Sequence, residues 1–193
     1  MKRGCFSAGL AAFALAGCAT VATVSKPVDI PDSPASLQAW ILDGRIGAQA
    51  TSQAWHANLY WEHAPTQDRL RISGPLSQGL VSIVVQKDLI YVNEGKGGET
   101  LSRDPDALLK QKLGFVVPLT SLRYWMVGIP DPDYSFEIMG AGDDAAAGFR
   151  QAGWVIHPQN LGNVDGWMLP QKIRAEGPGV KLTILADNWT LSN

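Results

Sequence analysis

The chain reads as a mainly β domain, an antiparallel sheet that curls, with helices laid over its concave side. Three observations predict this. From Leu37 onward, apolar and polar residues alternate at a period of two through most of the chain, the pattern of strands with one buried face. Short turn sequences such as Gln86-Lys87-Asp88 and Gly95-Lys96-Gly97-Gly98 punctuate the strands and put them in hairpin order. One stretch near the middle, from Asp104 to Pro130, switches to helical spacing, so a single helical insertion interrupts the sheet.

The first residues belong to another category. Lys2 and Arg3 precede the apolar run Gly4–Ala16, which ends in Leu15-Ala16-Gly17-Cys18. A basic start, a short apolar core and small residues before a cut make a secretory signal. The run is too short for a transmembrane helix, which needs about 20 residues. An ordinary signal peptide has no need of Cys18. Leu-Ala-Gly-Cys resembles a bacterial lipobox, in which the Cys is diacylated on sulfur, becomes the first residue after cleavage and is acylated on nitrogen. Covalent fatty acyl lipid, palmitate included, is therefore expected on Cys18. By the lipoprotein sorting rule an Asp after the Cys retains a lipoprotein in the inner membrane, so Ala19 points to the outer one. Residues 19–36 are small and polar, with Pro27, Pro31 and Pro34 and no apolar period. They read as a tether whose r.m.s. reach is roughly 20–25 Å, with a helical turn near Ser36. The expected division is a leader over 1–17, a lipidated Cys and tether over 18–36, and one folded domain over 37–193.

The strands follow in order. Trp40, Leu42, Gly44 and Ile46 share one face of the first, with Asp43 and Arg45 on the other. In the second, Trp55, Ala57, Leu59 and Trp61 oppose His56, Asn58 and Tyr60. Arg69-Leu70-Arg71-Ile72 alternates again, and Leu80–Val85 and Leu89–Val92 form the next hairpin. Asp104 then caps a helix, Pro105 suits its first turn, Leu108, Leu109 and Leu113 make its stripe, and Gly114 stops it. A second helix is predicted from Pro118 to Val127, with Leu119, Leu122 and Met126 on one face, Trp125 beside them, and Gly128 and Pro130 at its end. Strands return at Tyr134–Met139, Ala147–Ala152, Trp154–His157, Trp167–Glu176 and Val180–Thr190. In the last, Val180, Leu182, Ile184 and Ala186 alternate with Lys181, Thr183 and Asp187.

Composition excludes several classes of function. Net charge is −2, without the basic footprint of a nucleic-acid binder. Cys5 lies in the leader and Cys18 carries lipid, which leaves no cysteine for a disulfide or metal site. His56, His63 and His157 lack metal-ligand spacing, and His56 reads as an exposed strand residue. Pro75-Leu76-Ser77-Gln78-Gly79 only approximates a nucleophile elbow, since the first Gly is absent and no helix follows. Asp131-Pro132-Asp133 and Asp143-Asp144 fit turn chemistry. No catalytic set, metal site or cofactor is expected. The seven tryptophans suit a core, or a pocket for something greasy.

Five segments together carry a family resemblance: Gly44-Arg45-Ile46-Gly47, Trp55 through Trp61, Asp68 through Leu76, Pro118 through Pro130, and Lys181 through Trp189. In this order behind a lipobox, they resemble LolB, the family of outer-membrane lipoprotein receptors of the lipoprotein-localisation (Lol) pathway. The resemblance runs from about Trp40 to Trp189. It implies an unclosed, strongly curved antiparallel sheet, a half-barrel of about eleven strands, with a helical lid over an apolar cavity that receives acyl chains. It also implies a soluble periplasmic partner of the same fold, a LolA-like carrier, and lipoproteins as cargo. The receptor would be anchored on the periplasmic side of the outer membrane and would insert cargo there without covalent chemistry or nucleotide. A monomer is the simplest expectation.

On this resemblance, Trp55, Leu59 and Trp61 are candidates for the cavity wall, and Leu119, Leu122, Trp125 and Met126 for the lid's inner face. Plain packing between helix and sheet explains each of them equally well. In the family an exposed Leu on the loop matching Pro75-Leu76 is implicated in pushing lipoproteins into the bilayer. Here Ser77-Gln78-Gly79 stands where a Gly is expected directly after that Leu. Two other readings compete. One is a lipid-anchored envelope lipoprotein that binds another apolar ligand or acts as a scaffold. The other is an enzyme on envelope lipid or glycan, whose mark would be paired carboxylates or a His–Asp pair converging in the cavity.

Overall fold

The computed structural model describes residues 34–50, 53–74, 79–140 and 147–192. A 3-10 turn, Pro34–Ser36, leads into six strands, β1 (Ala39–Ala50), β2 (Ala54–Ala64), β3 (Gln67–Ser73), β4 (Val81–Gln86), β5 (Leu89–Asn93) and β6 (Glu99–Ser102), with a second 3-10 turn, Gly95–Gly97, between β5 and β6. Two helices follow, α1 (Pro105–Leu113) and α2 (Leu119–Met126). Then come β7 (Phe136–Met139), β8 (Gly148–Gln151), β9 (Trp154–Val164), β10 (Trp167–Gly177) and β11 (Val180–Ser192).

The turns dictate the order. Gln86 pairs with Leu89 across Lys87-Asp88, Gln151 with Trp154 across Ala152-Gly153, and Val164 with Trp167 across Asp165-Gly166. Hairpins so tight force sequential strands to lie side by side and antiparallel. One eleven-stranded sheet results, in the order β6-β5-β4-β3-β2-β1-β11-β10-β9-β8-β7. Only β1 and β11 are neighbours out of sequence, and they pair from Ala39↔Ser192 to Ala50↔Val180. The edge strands β6 and β7 are not paired with each other, so the sheet is open. The helical segment carries the chain from one edge to the other.

Register also sorts the turns between two ends of the sheet. Ala39, Ser192 and the β2–β3, β4–β5 and β9–β10 turns lie at one end, where the N-terminal segment enters. The β1–β2, β3–β4, β5–β6 and β10–β11 connections lie at the opposite end.

One irregularity decides which face Trp189 occupies. Asp43 pairs with Asn188 but Gly44 pairs with Ala186, which leaves Asp187 as an extra residue in β11. The bulge shifts the side-chain phase by one, so Trp189 continues the buried row Val180, Leu182, Ile184 instead of pointing outward. Gly44 makes room for it: a Cβ there would stand 2.0 Å from the Leu185 carbonyl oxygen. Arg45 clamps the bulged residue from outside, with Nε 3.0 Å and Nη2 2.6 Å from the Asp187 carboxylate. That contact holds the Asp187 carboxyl below the usual carboxylate range.

The concave face carries the core, with Trp40, Leu42, Leu59, Trp61, Leu70, Ile83, Ile90, Leu169 and Ile173 all buried. Helix α1 begins and ends on its predicted signals. The Asp104 carboxylate accepts from the Ala107 N–H at 2.9 Å, and Gly114 ends it with φ of 81°. Its stripe is thin, with only Leu108 and Leu109 buried. Helix α2 buries Leu119, Ser121, Leu122, Trp125 and Met126.

The structure departs from the sequence reading in two places. Strand β6 lies between the predicted turn and α1, where no strand is predicted. Strand β9 runs on to Val164 instead of stopping at His157.

Candidate functional site

Between the concave face and the helices lies a cavity of about 240 Å³. The sheet contributes Ile46 from β1, Trp55, Leu59 and Trp61 from β2, Leu70 and Ile72 from β3, Val81 and Ile83 from β4, and Leu182 and Ile184 from β11. The roof is Leu109 and Leu113 of α1, Phe115 and Val117 of the segment joining the helices, and Leu119 and Leu122 of α2. Among the described residues, Glu94 and Lys112 are the only charged ones in the lining, and they pair with each other at 2.5 Å. A wall of this kind is chemically matched to hydrocarbon and offers almost nothing to orient a polar ligand.

Exposure locates the mouth. Trp55, Ile72, Val81, Glu94, Lys112 and Leu113 are the lining residues that reach solvent, and the rest are buried. Trp55 follows the β1–β2 connection, Ile72 and Val81 flank the β3–β4 connection, and Glu94 opens the β5–β6 connection. Leu113 ends α1, where its carbonyl accepts from Gln53 Nε2 at 2.7 Å. The mouth therefore sits at the end of the sheet opposite the N-terminal entry. The other end is blind. Trp40 packs on Trp61 and Trp189 with ring centroids 5.3 Å away in both cases, and His63 lies 5.1 Å from Trp40.

The helices are held unequally. The buried Asp68 carboxylate accepts from Trp61 Nε1 at 2.9 Å and contacts His63 Nδ1 at 2.7 Å, while Arg123 of α2 reaches its other oxygen at 3.2 Å. On the far side of α2, Trp125 Nε1 donates to Gln151 Oε1 at 2.8 Å, and that oxygen also accepts from the Asp131 N–H. Ser121 Oγ donates to the Asp131 carboxylate at 2.7 Å, and Gln151 Nε2 donates to the Asp131 carbonyl at 2.8 Å. Buried networks with every group satisfied fix one arrangement. Helix α2 is thus bolted to β3 and β8. Helix α1 has the partly exposed Lys112–Glu94 pair and the Gln53 contact at its mouth end.

Among the predicted site residues, Trp55, Leu59, Trp61, Leu119 and Leu122 line the cavity, and Trp125 and Met126 do not. A turn further along α2, Trp125 packs on Trp154 with centroids 5.8 Å apart and bonds to Gln151, and Met126 is buried. Cys18, Pro75 and Leu76 lie outside the described residues.

Several residues of the site are absent from the sequence reading. Asp68 shares the strand phase of Leu70 and Ile72, and a carboxylate on the apolar phase signals a buried partner. Asp131 is a buried network member, not only a turn former. Phe115 and Val117 carry no periodic signal. The pair His63–Asp68 has the composition of an acid–base dyad. It lies outside the cavity lining, however, and its carboxylate is already engaged by Trp61 and Arg123. Among the described residues, no group of three His, Cys, Asp or Glu could hold a metal ion. No described helix is long and apolar enough to cross a membrane.

The family model for outer membrane lipoprotein LolB matches residues 38–189. The outer-membrane lipoprotein LolB of Pseudomonas paraeruginosa is 28% identical over 153 residues, covering 79% of this chain and 75% of that one. That of Stutzerimonas stutzeri is 26% identical over 188 residues, covering 92% of this chain and 91% of its own. Among solved structures, a LolA superfamily protein from Nitrosomonas europaea superposes with a TM-score of 0.48 at 11% identity, over 82% of this chain and 88% of that one. With the match running from the first residues of β1 to the Trp189 row of β11, the chain belongs to the LolB family of outer-membrane lipoproteins.

Proposed function

We propose that this protein takes the acyl chains of lipoproteins from a soluble periplasmic LolA-like carrier into its cavity and passes them into the outer membrane. On this reading it is held to the periplasmic side of that membrane by lipid on Cys18. The family is one of lipoprotein receptors and not of enzymes. The observation that carries the finer reading is the cavity itself, blind at one end, open at the other, and lined by hydrocarbon except for the Glu94–Lys112 pair at the mouth.

The physical need is direct. Burial of acyl chain is worth about 0.8 kcal/mol per CH₂, so one 16-carbon chain amounts to roughly 12 kcal/mol. Three such chains in water would hold a lipoprotein in its first membrane or aggregate it. Without a local energy source, transfer runs downhill in affinity from carrier to receptor to bilayer. A receptor site must win once and lose once, which favours an open, adaptable wall over a close-fitting pocket. The observed volume, about 240 Å³, lies below the usual range of about 300–1,000 Å³ for pockets that hold small ligands. Admission of cargo therefore requires expansion. The lightly held α1 supports it as the part that yields, with the bolted α2 as the fixed wall. The β3–β4 connection, which carries Pro75 and Leu76, springs from two residues of the mouth, and this supports a role for Leu76 in delivery.

The test uses residues 19–193 mixed with a carrier loaded with radiolabelled lipoprotein, without nucleotide. Label should pass to this protein and be recovered with it by pull-down. With the Leu76→Glu variant, acceptance should persist while release into vesicles fails. Label remaining on a carrier from the same organism would overturn the reading in favour of a generic apolar-ligand lipoprotein.

A further inference from the structure

The hydrocarbon wall of the cavity cannot tell one acyl chain from another. Each buried CH₂ contributes the same whether its chain belongs to a lipoprotein or to a phospholipid. A receptor of the outer membrane meets diacyl phospholipids in large excess, so the choice of cargo has to come from something other than the wall. Among the described residues, the lining has one charged feature, the Glu94–Lys112 pair, and it stands at the mouth. Acyl chains that fill the cavity leave at the mouth the junction where they meet the rest of their molecule. We propose that Glu94 is the specificity-determining residue of the cavity, accepting the junction of a lipidated N-terminal cysteine and rejecting that of a phospholipid. The inference rests on the reading of the cavity as the acyl-chain site.

The pair is held in place and still within reach of a ligand. The Glu94 N–H donates to the Gly98 carbonyl at 3.0 Å, its carbonyl accepts from the Gly97 N–H at 3.1 Å, and Asn93 Oδ1 accepts from the Gly95 N–H at 2.8 Å. Gly97 leaves room for the side chain, since a Cβ there would stand 2.9 Å from Glu94 Cβ. Lys112 comes from the last turn of α1, where Gln53 donates to the Leu113 carbonyl. The Glu94 and Lys112 side chains are 32% and 28% exposed, enough for each to meet a group at the mouth. An ammonium only donates and a carboxylate only accepts. The junction of a lipidated cysteine offers both kinds of partner, the glyceryl ester carbonyls as acceptors and the amide N–H groups of the acylated peptide as donors. Lys112 and Glu94 can thus exchange each other for cargo without either being left unpaired. The junction of a diacyl phospholipid offers ester carbonyls and a phosphodiester, all acceptors. Lys112 can serve them, but Glu94 gains no donor and faces a second anion, and that repulsion strengthens as water leaves the mouth. Lys112 therefore suits either junction, and the discrimination falls to Glu94.

The test gives the full-length lipidated protein, in nonionic detergent micelles, two probes at equal concentration. One is a triacylated cysteine peptide of uncharged sequence, the other phosphatidylglycerol, and both carry the same photoactivatable group on a 16-carbon chain. After illumination, adducts on the cavity-lining residues are mapped and counted by mass spectrometry. The unmodified protein should favour the lipopeptide at least tenfold. Glu94→Gln should lower that ratio at least fivefold through a rise in phospholipid adducts, and Glu94→Asp, which keeps the carboxylate, should stay within twofold of the unmodified protein. Lys112→Met breaks the same pair but leaves the carboxylate, so its ratio should hold or rise. Each change is at a partly exposed position, and melting temperatures should move by no more than a few degrees. A pair that only held α1 in place would admit both probes alike from either variant. A common response of Glu94→Gln and Lys112→Met, or an unmodified ratio near one, would overturn the inference. Absence of lipopeptide adducts in the cavity of the unmodified protein would instead overturn the acyl-chain reading itself.

Discussion

Replacement of Asp68 by Ala isolates what holds the roof of the cavity in place. Its carboxylate receives the Trp61 indole N–H, the His63 ring and the Arg123 guanidinium, and its side chain is 3% exposed. Breaking a buried ion pair from one side costs about 3–5 kcal/mol, and each buried donor left without an acceptor costs about 1–3 kcal/mol. The Arg123 side chain is 23% exposed and that of His63 13%, so both recover part of the loss by turning to water. A total of about 3 kcal/mol follows, most of it from the Trp61 N–H and the guanidinium. With a urea slope of about 2 kcal/mol per molar, the unfolding midpoint should fall by about 1.5 M. Equilibrium urea unfolding of residues 19–193, followed by tryptophan fluorescence, reads this directly. Arg123→Met should cost less, about 1–2 kcal/mol, because Asp68 keeps two donors. The double variant should fall short of the sum by at least about 1 kcal/mol, since both changes break one network. A midpoint for Asp68→Ala within experimental error of the unmodified protein would refute the claim that this carboxylate bolts α2 to the sheet.

Three further outcomes follow from the geometry. Gly44→Ala places a Cβ 2.0 Å from the Leu185 carbonyl oxygen, and because backbone must move, thermal unfolding should show a loss of about 3 kcal/mol. Ile72→Trp fills the mouth at a partly exposed position. It should cut capture of labelled lipoprotein at least tenfold in the carrier assay while the melting temperature moves by no more than a few degrees. The Asp187 carboxyl is held below its ordinary range by Arg45, so its contribution to stability is present above the unfolded-state value and disappears as pH falls through the folded-state one. Asp187→Asn should therefore be slightly less stable than the unmodified protein at neutral pH, and the two pH–stability curves should converge at the acid end.

Strands with one buried face were legible because their pattern is local. The even-numbered residues of β1 and the row Trp55, Leu59 and Trp61 of β2 can be read without knowing what lies opposite. The same holds for α1, whose Asp104, Pro105 and Gly114 act within one turn of themselves. The two departures lack such signals. In β6, Leu101 is the lone apolar residue and it points outward, so only the ladder to β5 makes the segment a strand. The outer half of β9 contains Pro158, Asn160 and Gly162, all poor strand formers, yet β10 imposes the pairing. Within the site, the hydrocarbon wall was visible as phase, whereas its polar bolts were not. Asp68 and Arg123 stand far apart in sequence, and their meeting depends on where the insertion docks. The split within α2, with Leu119 and Leu122 on the cavity and Trp125 on Gln151, is likewise set by the neighbours of the helix and not by its own spacing.

The adjacency of β1 and β11 in the middle of the sheet has a consequence for how the chain folds. Strands β2 to β6 and β7 to β10 can zip from hairpin to hairpin through short loops, but the central seam joins Ala39 to Ser192 and closes nearly the whole chain. Closure entropy grows with the logarithm of loop length, and long-range pairing slows folding, so the seam is placed to close late. Ile46 lies on one side of it and Leu182 and Ile184 on the other. Before closure there is no cavity, only two half-sheets with their hydrocarbon faces in water. A folding intermediate of that form would resemble the cargo in its affinity for apolar surface. A cell that makes this receptor would then have to bring it past the seam before it is fit to handle another protein's acyl chains.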